Sequence, residues 1–262
     1  MALMFRKHGY DVTLIDKSND IMDRTSSTGE GRIHMGLEYA NDPSMETAKF
    51  MLESSMRFSS YLEYLVDKNL DWSQLKSERL TCLLPHTSHV SPLQFEEYGA
   101  RLNEFYENIL AKDASLSYLG ERPPKILIGK TEVPRAVNSS YINAAYESIE
   151  VCVLSNKLKE VIREALYEKE VDLVFERTIV DVRRIDTEDG LGRFELFSHS
   201  NVGHQFVNRF DAVVNCLWEV SRTESDCFHY FYRFCISIVC FTHFKRCCIS
   251  FLAMKETSRV RP

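Results

Sequence analysis

The stretch Arg6 to Lys17, RKHGYDVTLIDK, constrains this chain more than any other. It reads as a helix end, a glycine turn, a buried strand and a carboxylate at the strand's end. Met1 to Phe5 supply the apolar residues of the helix, and Gly9 the left-handed stop that follows many helices. Val12, Leu14 and Ile15 suit a strand covered on both faces, as strands of parallel sheets are. Asp16 then stands at the carboxyl end of that strand.

In a dinucleotide-binding βαβ unit, an acid at this position accepts hydrogen bonds from the adenosine ribose. The first strand and the glycine-rich turn of such a unit do not precede Ala2, so the sequence starts in the middle of the pattern. Helix, glycine, strand and acid also follow one another in other α/β proteins, where the acid is a solvated loop residue. The rest of the chain has to discriminate.

A polar loop, Lys17 to Thr28, runs into Gly29-Glu30-Gly31-Arg32-Ile33-His34-Met35-Gly36. A long helix is expected next, capped by Asp42 with Pro43 in its first position. Its face is Ala48, Met51, Leu52, Ser55, Phe58, Leu62, Leu65 and Val66. Leu80 to Leu84 reads as a strand. Ser91-Pro92-Leu93-Gln94 opens a second helix with a capping box, whose face is Tyr98, Leu102, Phe105 and Ile109. From about Glu150 the pattern is α/β again. Ser155 is expected to cap a helix carrying Leu158, Val161, Ile162, Ala165 and Leu166, and Val171 to Phe175 is a short apolar strand. Residues 178–185, 194–197 and 205–210 form an antiparallel meander, and 211–217 return as a buried strand.

Charge, cysteine and phenylalanine content break near Glu219. Residues 1–219 hold 35 acids against 25 Lys and Arg, whereas residues 220–262 hold three against seven. Five of the eight cysteines and six of the sixteen phenylalanines fall in those last 43 residues. Cys227 to Phe244 is apolar without helical or alternating order, and Arg233, His229 and His243 make it a costly bilayer span. The tail is therefore expected to lie outside the evolved domain as aberrant or disordered sequence, the product of a translated intron or a frameshift. A membrane-associating or cysteine-rich regulatory tail is the alternative. The net charge of -6 argues against a nucleic-acid partner. No secretory signal and no run of about 18 apolar residues is present, so a cytoplasmic or soluble organellar location without stable membrane insertion is expected.

Ala2 to Val12, Asp16 with Lys17, and Ser26-Ser27-Thr28-Gly29-Glu30-Gly31-Arg32-Ile33-His34-Met35-Gly36 together resemble FAD-dependent oxidoreductases of the D-amino-acid-oxidase superfamily, which includes glycine oxidase, sarcosine oxidase and 2-hydroxyglutarate dehydrogenase relatives. The resemblance covers residues 2–219. It implies that Asp16 holds the adenosine ribose with Lys17 beside it. Ser26, Ser27, Thr28, Gly31 and Arg32 would meet the FAD diphosphate, and His34 the flavin end. Hydroxyls, free backbone N–H groups and glycines suit an anionic cofactor. Thr178 to Val182 resembles the strand whose backbone meets the adenine, at Ile179 or Val180. Asp211 to Asn215 resembles the strand returning beneath the cofactor, but Cys216-Leu217-Trp218 stands where the family has a small residue and glycine.

The fold expected from this is α/β: an FAD-binding Rossmann-like domain without its first strand and glycine motif, carrying an inserted α+β substrate domain. The expected segments are 1–42 and 150–219 for FAD binding, 43–149 for the insertion and 220–262 for the tail. The implied activity is FAD-dependent oxidation of a small amine, amino acid or hydroxy acid, impaired in the chain as written. The alternative is a non-catalytic remnant or interaction module that keeps the fold without flavin. No general base is nominated and the oligomeric state is left open. Cysteine and histidine spacings, including His86 and His89, match no zinc pattern, so no metal is expected.

Overall fold

The computed structural model describes residues 1–185, 193–216 and 250–255, the last of these by backbone only. The chain is mixed helix and strand, with both parallel and antiparallel pairing. It divides into two compact units, Met1–Gly29 with Ser155–Pro262, and Glu30–Leu154. The second unit thus runs from Glu30 to Leu154, wider at both ends than the segment 43–149 set apart from the sequence. Long-range backbone pairing ties its two ends together: Val153 N–H donates to Gly31 O at 2.8 Å and Ile33 N–H to Val151 O at 3.2 Å, so residues 31–33 pair with 151–153.

The first unit opens with α1 (Ala2–Lys7), β1 (Asp11–Asp16) and α2 (Thr25–Thr28). The expected stop is there: Gly9 sits at φ +85°, where a side chain would be strained. In the second unit, α3 (Glu46–Val66), α4 (Trp72–Leu75), β2 (Thr81–Pro85), α5 (Pro92–Lys112), β3 (Leu127–Thr131) and β4 (Ile142–Ser148) follow. The chain then returns to the first unit with α6 (Ser155–Glu168), β5 (Asp172–Val174), β6 (Arg177–Arg184), β7 (Phe194–Ser200), β8 (Gln205–Phe210), β9 (Ala212–Asn215) and β10 (Ser250–Lys255).

The main sheet of the first unit has the order β5-β1-β10-β9. β1 and β5 pair in parallel, Leu14 opposite Leu173, as strands joined by a helical crossover do. β9 runs in the same direction as β1 but does not pair with it, because β10 lies between them, antiparallel to both. This corrects the expected tail at Ser250–Lys255, which belongs to the sheet. Phe251-Leu252-Ala253-Met254 is a short apolar run between two strands whose backbone groups need partners, a local fit that the composition of the whole tail concealed. The rest of the tail, 220–249 and 256–262, lies outside the described residues, as do residues 217–219 before it. β6, β7 and β8 form the expected antiparallel meander. Its Leu196 and Phe210 cluster with Ile15 of β1 and Val213 of β9.

In the second unit, β2, β4 and β3 make an antiparallel sheet. The capping box of α5 is present: Gln94 N–H donates to Ser91 Oγ at 3.3 Å and Ser91 N–H to Gln94 Oε1 at 2.9 Å. Asp42 does not cap α3. Its carboxylate takes Ser44 N–H and Oγ–H in a turn, and the helix begins four residues later behind Met45. The α5 face is Phe95, Tyr98, Gly99, Leu102, Tyr106 and Ile109, so Tyr106 replaces the expected Phe105, which is half-buried. Each buried tyrosine finds a hydroxyl partner, as burial demands. Tyr98 donates to Gly36 O at 2.7 Å, Tyr106 to Pro123 O at 2.8 Å and Tyr146 to Glu96 at 2.9 Å.

Candidate functional site

The residues singled out from the sequence divide between the two units. Asp16, Lys17, Ser26, Ser27, Thr28, Ile179 and Val180 lie in the first; Gly31, Arg32 and His34 lie in the second.

In the first unit Asp16 ends β1 and is only 5% exposed. Its Oδ1 accepts from Ser18 N–H at 2.8 Å, and Ser18 O accepts from Glu176 N–H at 2.9 Å. The acid thus sits at the carboxyl edge of two parallel strands, where open α/β sheets bind ligands. Lys17 follows it and is half-buried. Ser26 and Thr28 are exposed on α2, with Ser27 half-buried between them. The hydroxyls of Ser27 and Thr28 both donate to Arg24 O, at 3.0 and 3.2 Å. Each hydroxyl has one proton, so these two donors are spent inside the loop. Val180 has no cross-strand partner: the β6–β7 register shifts between Ile179 and Asp181, a bulge that leaves Val180 as the extra residue and 61% exposed.

The loop after Asp16 is anchored by a group the sequence reading missed. Asp20 pairs with Lys159 Nζ at 2.8 Å and with the Arg163 guanidinium, both on α6. Burial works against its charge, but hydrogen bonds from Lys159 and Arg163 prevail and lower its pKa. The amino end of α1 lies near Cys216, just past β9; burial lowers the pKa of the Met1 amino group against an opposing electrostatic pull from Cys216.

In the second unit Arg32 is committed to a partner. Its Nε donates to Glu150 Oε2 at 2.9 Å, its Nη2 donates to the same oxygen, and Met35 N–H donates to Glu150 Oε1 at 2.7 Å. Glu150 is fully buried. Burial of the guanidinium opposes its charge, yet the Glu150 carboxylate outweighs this and raises the Arg32 pKa. Tyr118 completes the junction, donating to Ile33 O at 2.8 Å and accepting from Val151 N–H at 3.1 Å; burial raises its phenol pKa. Burial, then Glu150, likewise raises the Cys82 thiol. Gly31 sits at φ +66°, and a Cβ there would lie 2.4 Å from Val153 O. His34 is nearly buried, with Nδ1 3.1 Å from Glu38 Oε2 and Nε2 3.7 Å from Glu30 Oε1. Its Nδ1 has no aligned hydrogen-bond partner among the described residues. Glu150 was legible in hindsight: an acid inside the apolar run Ile149-Glu150-Val151-Cys152-Val153 needs a buried cation.

An FAD-type cofactor fits these residues in part. A buried carboxylate at a strand end suits the ribose. The diphosphate side does not fit, because a dinucleotide unit meets it with a glycine turn and a helix start after the central strand. Here β10 holds the central position, and its amino end, Ser250, lies opposite Asp16. The Ser27, Thr28 and Arg32 donors expected for phosphate are spent on Arg24 and Glu150.

No protein-family model matches the chain, and no curated protein matches it. Among solved structures it is similar to glycine oxidase from Geobacillus kaustophilus, at 15% identity and a TM-score of 0.43, over 75% of this chain and 46% of that one. It is also similar to L-amino acid deaminase from Proteus myxofaciens in complex with anthranilate, at 13% identity and a TM-score of 0.41, over 79% of this chain and 40% of that one. The chain thus spans less than half the length of either. Among the described residues no helix is long and apolar enough to cross a membrane, and no cluster of His, Cys, Asp and Glu could hold a metal.

Proposed function

We propose that the chain is a form of an FAD-dependent oxidoreductase acting on a small amine, amino acid or hydroxy acid, impaired as written. The observation that carries this reading is Asp16, buried at the carboxyl end of β1 beside the parallel β5. Together with the sequence resemblance, it supports retention of the ribose side of the site. When bound, FAD would supply hydride acceptance, and the protein orientation and electrostatics. Asp16 would hold the ribose, with Lys17 beside it and the Val180 bulge offering backbone to the adenine. Ser26, Gly31 and His34 remain assigned to the diphosphate and flavin side by resemblance alone. The small-molecule substrate and a soluble location belong to the same proposal.

A second reading is favoured by the position of β10: a non-catalytic remnant or interaction module that keeps the fold and binds no flavin. A visible spectrum of the purified, desalted protein separates the two. Flavin absorption that stays with the chain and is lost in Asp16→Ala supports the enzyme reading. A colourless, folded protein that leaves the fluorescence of added FAD unchanged supports the remnant. Placing a strand and a Gly-x-Gly-x-x-Gly turn ahead of Met1 should create or strengthen flavin retention; equal retention by both forms would refute the idea that the lack of this turn weakens flavin binding.

A further inference from the structure

β10 lies between β1 and β9, two strands that are also linked to each other through the meander. Ile15 of β1 and Val213 of β9 belong to one apolar cluster with Leu196 of β7 and Phe210 of β8, and Val174 of β5 with Ile179 and Val182 of β6 pack against it. The meander therefore braces the main sheet from β5 across to β9. Two neighbours of one intervening strand stand about 9–10 Å apart, two ladder spacings, a width that a single strand fills. β10 fills it with six positions opposite β1, from Lys255 at Asp11 to Ser250 at Asp16, and four opposite β9, from Met254 at Ala212 to Phe251 at Asn215.

The connection to this strand is unusual. Antiparallel neighbours such as β9 and β10 are ordinarily joined by about two to five residues. Here residues 216–249 separate them. The cost of closing a loop grows by a small fixed increment for each doubling of its length, so a separation of this size leaves the cis strand a smaller advantage over one arriving from solution than a short hairpin would. A strand in this gap makes main-chain ladders on both sides, twice what an edge strand offers, which is the basis of strand-addition binding.

We propose that the gap between β1 and β9 is a binding site for one extended aliphatic strand, filled in cis by Ser250–Lys255 and open to exchange with such a strand supplied in trans. Recognition is by the two ladders and by an uncharged run of the kind Phe251-Leu252-Ala253-Met254 presents. One consequence rests on the flavin reading above: a dinucleotide-binding sheet has its glycine-turn strand in this position, so β10 would compete with any strand able to complete the phosphate site. The strand-binding claim itself does not depend on flavin.

The test uses the full chain and two variants, Leu252→Pro and Ala253→Pro. Successive backbone N–H groups of a strand point to opposite neighbours, so one substitution removes a donor toward β1 and the other a donor toward β9. Hydrogen exchange read by mass spectrometry over residues 12–15 and 212–215 should quicken at least tenfold in the variants. An added synthetic peptide of residues 249–256 should restore the protection, and the same peptide carrying proline at both positions should not. Unchanged exchange in the variants would overturn the proposal, and so would quickened exchange that the peptide fails to slow, since the gap would then have collapsed. Should the variants not fold, the unaltered chain decides: saturable binding of the fluorescently labelled peptide, abolished by the double-proline change, supports the proposal, and absence of binding refutes it. Neither readout involves flavin, so this proposal and the flavin reading fail separately.

Discussion

Replacing Glu150 by Leu strands the Arg32 guanidinium in the second unit. The carboxylate is fully buried and accepts three hydrogen bonds, two from Arg32 and one from Met35 N–H. Removing one member of a buried pair costs about 3–5 kcal/mol. The Arg32 side chain is 20% exposed, so partial rehydration places its share near the lower end, about 3 kcal/mol. The orphaned Met35 N–H adds about 1 kcal/mol. The expected loss of about 4 kcal/mol is a large part of an ordinary domain stability of about 5–15 kcal/mol. Trp72 reports on this unit: it is buried and its Nε1 donates to Glu63 at 2.9 Å. Urea denaturation followed by Trp72 fluorescence, in a Trp218→Phe background, measures the loss. Adding Arg32→Met to Glu150→Leu removes the second charge and should recover at least about 2 kcal/mol, since apolar replacement of a whole buried pair is often near neutral. A cost below about 1 kcal/mol for Glu150→Leu would refute the reasoning, as would single effects that add without coupling.

In the first unit, Asp20→Asn should cost about 1 kcal/mol at neutral pH and low salt, because it removes a partly exposed network with Lys159 and Arg163. The folded-state pKa of Asp20 is depressed, so its contribution is present above the ordinary carboxylate value of about 3.9 and lost as pH falls through the folded value. Denaturation at a series of pH values should show the two proteins converging in acid; a difference that grows in acid would contradict the assignment. Gly31→Ala should destabilise the second unit by at least about 1–3 kcal/mol from backbone strain, before the contact with Val153 O is counted. A Trp72 unfolding midpoint that does not move would show that this loop does not need its left-handed turn.

Local chemistry made much of the fold readable in advance. Gly9 after an apolar helix, the aliphatic β1 ending in Asp16, and the Ser91 and Gln94 capping box depend on neighbours within a few residues. Their conformations follow from backbone sterics and local hydrogen bonds, and the structure has each of them. The meander was legible for the same reason, because alternating residues and turns specify antiparallel neighbours. Asp42 shows the limit of such reading, since its carboxylate found a nearer partner in Ser44 than a helix end.

Long-range pairing decided the rest. Arg32 resembles a phosphate ligand until Glu150, 118 residues away, takes its guanidinium. The tail's average composition set it apart from the domain, yet six of its residues lie between β1 and β9. A sequence specifies what a segment can do with its neighbours through local sterics, periodicity and capping. Which distant strand fills a gap, and which buried acid meets which cation, is decided by the requirement that every buried backbone group and charge be satisfied at once. That condition acts on the folded whole, so only the tertiary structure answers it.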